Sequence, residues 1–163
     1  AGLDLLAMGR QEGPDCYCFI NNLLREYLGR ITKQYKAVVI DNEAGLEHLS
    51  RRTDGRVDVM LVICQPTVIG ARTALRIMEL VRTLHLEMGG CYLVMNQCQG
   101  EVPPDLAAQF QQTGLENLAM IPADPAIAEY DVKGQAVTDL PANSPAVVAV
   151  DGLVSMLLER SKG

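Results

Sequence analysis

Residues Val57–Cys64 read VDVMLVIC, and after a stretch from Thr67 to Leu86 the chain returns to an apolar run at Cys91–Met95, CYLVM. Both runs are nearly continuous in apolar character rather than alternating. That is the pattern of a strand covered on both faces. The stretch between them carries Ile69, Thr73, Leu75, Ile77, Leu80, Val81 and Leu84 at the three-and-four spacing of a helix. Strand, helix and strand in that order predict parallel neighbours joined by a helical crossover, the unit of an α/β sheet.

The same signatures extend in both directions. Leu3–Met8 (LDLLAM) and Ala37–Ile40 (AVVI) read as further strands, and Leu118–Ile121 (LAMI) as a weaker one. Helical spacing recurs in Asn21–Lys33, with Leu23, Leu24, Tyr27, Leu28 and Ile31, and in Pro103–Gln112, with Leu106 and Phe110. A last helix is expected over Pro145–Arg160, where Pro141, Asn143 and Ser144 supply a stop and a cap. No internal repeat or linker interrupts the pattern. The expectation is one domain over residues 1–163: α/β, three layers, a mostly parallel sheet.

The chain's 163 residues suffice for one core, and 48% are hydrophobic against 21% charged. The formal net charge of −6 argues against a nucleic-acid surface, which needs a basic patch. No apolar run approaches a membrane span, and no signal peptide precedes the first strand-like run. The five cysteines are odd in number and unevenly spread, unlike a secreted disulfide framework, so a cytoplasmic location is expected. Cys64, Cys91 and Cys98 lie in or beside apolar runs and read as small buried hydrophobes. His48 and His85 sit in helical patterns and read as solvated or capping residues.

Ligands of such sheets bind beyond the carboxyl ends of the strands, so the residues just after each strand carry the chemistry. Asp41 ends the AVVI run, where a carboxylate can orient magnesium or its water shell. Gly45, a little further on, can bring a bare backbone N–H to a terminal phosphate. An acidic turn after a strand would read the same way. Asn96 follows CYLVM, and its amide can both donate to and accept from a base edge. In Pro122-Ala123-Asp124 the proline stiffens a loop able to cover one face of a base. Cys16 and Cys18 form a Cys-x-Cys pair before a helix, where thiolates suit zinc, nickel or copper(I). Two thiols leave a tetrahedral site half filled, and a second copy across a two-fold axis would complete it. Free thiols or a redox couple would read alike.

The order of these motifs resembles the MinD-like deviant P-loop ATPases, the family that also holds the nitrogenase iron protein. Within it the resemblance leans to the CooC-type nickel-insertion ATPases that serve carbon monoxide dehydrogenase. The stretches that carry it are LDLLAMGRQEGPDCYCFINNLLREYL, VVIDNEAGLEHLSR, VDVMLVICQPTVIGARTALRI, LVMNQC, IPADPAIAEYDVKGQAV and LPANSPAVVAV. The resemblance implies ATP/ADP with magnesium as cofactor, a homodimer, one nickel or zinc ion held by the Cys-x-Cys pairs, and carbon monoxide dehydrogenase as client. It places Asp41 as the Walker B carboxylate, Asn42–Gly45 as switch II, Asn96 as the adenine-reading residue, Pro122, Ala123 and Asp124 as the base-lining loop, and Cys16 and Cys18 as metal ligands. Glu43 stands where many relatives have proline and is assigned no role.

One family feature is missing. No Gly-Lys-Ser or Gly-Lys-Thr occurs, so the loop that wraps the phosphates has no counterpart here. The expectation is a domain lacking its N-terminal P-loop part and unable by itself to hydrolyse ATP, because positioning the phosphates is most of that catalysis. Two rival readings stand beside this one: a metal-binding module with no nucleotide role, and another MinD-type ATPase, such as one that positions proteins at a membrane. The apolar last stretch, with few basic residues, speaks against the latter.

Overall fold

The computed structural model describes residues 3–7, 34–42, 57–84 and 88–160. The chain divides into two units, Ala1–Thr53 and Asp54–Gly163. The second begins with β1 (Val57–Cys64), α1 (Val68–Thr83) and β2 (Met88–Cys98). It continues through α2 (Pro104–Gln111), β3 (Glu116–Pro122), α3 (Pro125–Val132), a 3-10 turn (Val137–Asp139) and α4 (Pro145–Arg160). The described strands form one parallel sheet in the order β1-β2-β3. Val57 pairs with Met88 at one end of the first ladder and Cys64 with Met95 at the other.

β2 is central, pairing with β1 on one side and β3 on the other, and both its faces are packed. Leu93 and Met95 point with Ala71 of α1 and Phe110 of α2 into one core. Val94 joins Leu118 of β3 and Leu153 of α4 in the other. Adjacent strand residues face opposite ways, so burying Leu93 and Val94 together requires helices on both faces. The result is the expected three-layer arrangement.

Polar groups at the element ends fix the connections. Thr67 Oγ1 accepts the Gly70 amide at 3.0 Å and starts α1. Gly70 is required there: a Cβ would lie 2.2 Å from the Gln65 carbonyl oxygen. Buried Thr113 donates to the Phe110 carbonyl at 2.6 Å and accepts from Leu115 N at 3.1 Å, turning α2 into β3. Arg160 donates twice to Glu116, at 2.8 and 3.1 Å, and its guanidinium lies 5.1 Å from the Tyr92 ring centre. This ties the end of α4 to the middle of β2 and the start of β3.

The expected elements are met with differences. β1 and α4 match their predicted bounds, while β2 and β3 run longer than CYLVM and LAMI. α3 forms where the sequence predicts a loop. It buries no residue and shows no apolar periodicity, so its cap and leading proline define it rather than an amphipathic face. Conversely, Leu3–Ala7 and Ala37–Ile40 form no strand, and Leu3, Leu5 and Val39 are more than 90% exposed. A short apolar run expresses a tendency to be buried, but only a laterally paired neighbour makes it a strand, and the described ladders join β1, β2 and β3 alone. In this first unit the Tyr35 hydroxyl donates to the Asp4 carboxylate. The helix expected over Asn21–Lys33 lies outside the described residues.

Candidate functional site

The carboxyl ends of β1, β2 and β3 lie side by side because the strands are parallel and sequential. β1 delivers Gln65 and Thr67, β2 delivers Asn96 and Gln97, and β3 delivers Pro122, Ala123 and Asp124. Two of the expected site elements are thereby joined directly. The Ala123 amide donates to the Cys98 carbonyl at 2.9 Å, fastening the Pro122-Ala123-Asp124 segment to the strand that carries Asn96.

The end of β2 is irregular. Met95 pairs with Met120 and Cys98 with Pro122, so β2 holds one residue more than β3 across this interval. The surplus is taken up at Asn96-Gln97, and Gln97 has a φ of 57°. A bulge at a strand tip re-aims side chains, and a left-handed non-glycine residue is a strained position of the kind that gathers at binding sites. The Gln97 amide donates to Asn96 Oδ1 at 2.8 Å, which pins the Asn96 side chain. The Gln65 amide donates to the Gln97 side-chain oxygen, bridging the β1 and β2 tips. Beside them an open cleft of about 300 Å³ is lined by Gln65, Thr67, Gln97, Gln99 and Glu101 among others.

Asp124 is more heavily engaged than its place in a loop implies. One carboxylate oxygen accepts the Ala126 amide at 3.0 Å and caps α3. The other accepts the Ser144 hydroxyl and, at 3.3 Å, the Ala146 amide in the first turn of α4. The Ser144 hydroxyl hydrogen bond, followed by the two backbone amides, holds this carboxyl below the usual carboxylate range. Of Pro141, Asn143 and Ser144, the expected stop and cap of α4, Ser144 donates its hydroxyl to Asp124, and it is Asp124, twenty residues away, that accepts the Ala146 amide of the first turn. Neither Ser144 as a partner of Asp124 nor the Gln65–Gln97 bridge carries a sequence signal, since each pairs residues distant along the chain. A serine before a proline marks a helix start but not who completes it.

Asp41 lies in the first unit, exposed, beyond an AVVI run that forms no strand to present it. Gly45, Cys16 and Cys18, and likewise His48 and His85, lie outside the described residues. Cys64, Cys91 and Cys98 are free thiols at least partly buried. Burial, and secondarily the neighbouring Cys98, pushes the Cys64 thiol up to about 11, and burial also raises Cys91 and Cys98. All three stay protonated at neutral pH and serve as packing groups. Among the described residues no helix is long and apolar enough to cross a membrane.

No protein-family model matches the chain. It is 40% identical over 157 residues to an uncharacterized ATP-binding protein of Methanocaldococcus jannaschii, covering 96% of this chain and 62% of that protein. It is 35% identical over 168 aligned positions to the carbon monoxide dehydrogenase accessory protein CooC of Rhodospirillum rubrum, covering 98% of this chain and 60% of that one. The chain thus spans about three-fifths of the length of these curated relatives. Among solved structures, the cell-division ATPase MinD of Pyrococcus furiosus superposes with a TM-score of 0.65 at 21% identity, over 85% of this chain and 58% of that one.

Proposed function

Because this chain belongs to the MinD-like family of deviant P-loop proteins, near CooC, we propose that its strand tips are the base-reading part of an ATP-dependent metal-delivery protein. In this reading Asn96 meets the edge of adenine, and Pro122, Ala123 and Asp124 line the base. Asp41 orients magnesium or its water shell beside ATP or ADP, and Gly45 offers a bare N–H to the terminal phosphate. Cys16 and Cys18, paired with those of a second copy, hold one nickel or zinc ion. The client is carbon monoxide dehydrogenase, the assembly a homodimer, and the compartment the cytoplasm. Residues 1–163 act as one domain that does not hydrolyse ATP without a phosphate loop.

The observation that carries the nucleotide reading is the Ala123–Cys98 hydrogen bond, which joins the loop to the Asn96 strand at the carboxyl edge of a parallel sheet. The Asn96 side chain is oriented by Gln97, and a pinned amide discriminates between bases better than a free one. Adenosine titration followed by NMR tests it. Asn96→Ala should weaken binding about tenfold, the loss of roughly one hydrogen bond of ~1.4 kcal/mol. Unchanged affinity would remove Asn96 from the base site.

The metal reading has a separate test. Nickel titration of the chain and of a Cys16→Ser/Cys18→Ser variant should show uptake in the former and its loss in the latter. Equal uptake by both would take the thiols out of the account.

A further inference from the structure

One carboxylate, that of Asp124, lies at the first turns of two helices and in the loop that is bonded to Cys98, two residues beyond Asn96. α3 follows it directly, so capping that helix is local chemistry. The grip on α4 is not local: Ser144 Oγ and the Ala146 amide both come to the same Asp124 oxygen. α4 in turn packs on the far face of the sheet through Leu153, in the core that holds Val94 and Leu118. The loop is therefore held at three points, by the Cys98 carbonyl, by its own helix and by α4.

What this holds in place is an edge of fixed polarity. Pro122 has no N–H, and the Ala123 N–H is committed to Cys98. The loop can thus present carbonyl oxygens to a ligand but has no free N–H at these two positions. At Pro122 and Ala123 the edge can only accept, which suits the exocyclic amine of adenine and opposes a purine with a keto oxygen in its place. Such discrimination depends on the loop keeping its distance from the base, because an acceptor that can retreat no longer excludes the wrong group.

We infer that Asp124 is a positioning residue: by gripping Ser144 and the first turn of α4 it holds the Pro122–Ala123 edge against the base and so sets the preference for a 6-amino over a 6-keto purine. This rests on the base-site reading above. The α4 grip, rather than the α3 cap, is the part that matters for selectivity.

Two variants separate these roles. Asp124→Asn keeps an acceptor for the Ala126 amide but puts an NH₂ where Ser144 and Ala146 now donate. Ser144→Ala removes only the hydroxyl. In the full chain, adenosine and inosine are titrated by NMR, with amide hydrogen exchange at Ala126 and Ala146 as a structural readout. The expected result is a several-fold adenosine preference in the wild type that falls toward unity in both variants. Exchange should speed up at Ala146 while Ala126 stays protected in Asp124→Asn. A wild-type preference that persists undiminished in both variants overturns the inference and leaves the base site standing. Binding of neither nucleoside by the wild type overturns the base-site reading and the inference with it.

Discussion

Asp124 shows how much a single side chain can decide. Two helix N-termini each present unpaired amides and a partial positive charge, and one carboxylate answers both. Because its pKa is lowered by folding, its stabilising effect is present above the ordinary carboxylate value and disappears as the pH falls through the folded one. The urea midpoint of the wild type should therefore drop on acidification below about pH 4, where unfolded aspartates take up protons. Asp124→Asn, which has no carboxyl to titrate, should be less stable near neutrality but show a flatter acid limb. Acid limbs of equal steepness in the two proteins would show that other carboxylates govern this range. Glu116 adds a contribution of the same sign, since Arg160 holds it low as well, so some acid sensitivity remains in the variant.

At the scale of elements, packing outweighs propensity. β2 is the longest described strand and has helices on both faces, whereas α4 buries only Ala146 and Leu153 and leaves Val148, Val150 and Val154 exposed. Apolar content alone therefore misjudges which element matters. Phe110, 3% exposed, closes the α1–α2 side of the sheet against Leu93 and Met95. Phe110→Ala should cost about 3–5 kcal/mol by lost transfer energy and the cavity it leaves. Val148→Ser, at a position 56% exposed, should cost within about 0.5 kcal/mol. Denaturant midpoints of the two variants check this, and comparable losses would mean that α4 is covered by a further surface. The same holds for α3: with no residue buried, it carries no apolar stripe that marks a helix in the sequence.

At the largest scale the edge of the described sheet matters most. Among the described residues β1 has a ladder partner on one side only, and Ile63, Val68 and Ile69 are exposed where it ends. Unpaired strand edges and apolar surface both favour association with another chain. Light scattering at micromolar concentration should report a dimer or larger species. A stable monomer would count against both this edge and the homodimer proposed for metal binding.

Local sequence specifies the alternation of strands and helices from Val57 onward, the two-sided cover of β2 and the bounds of β1 and α4; it expects Asn96 and Pro122 just past their strands, and both lie in the last three residues of β2 and β3. These are local properties: the length of an apolar run, its period, and a proline or a cap at its edge. Tertiary structure decided which runs became strands, since AVVI and LDLLA are as apolar as their paired counterparts yet join no described ladder. It also decided that Asn96-Gln97 forms a bulge and that the Ser144 hydroxyl donates to Asp124. Each of those outcomes depends on a hydrogen-bonding partner far along the chain, and a partner's place in space is not written in the residues on either side of it.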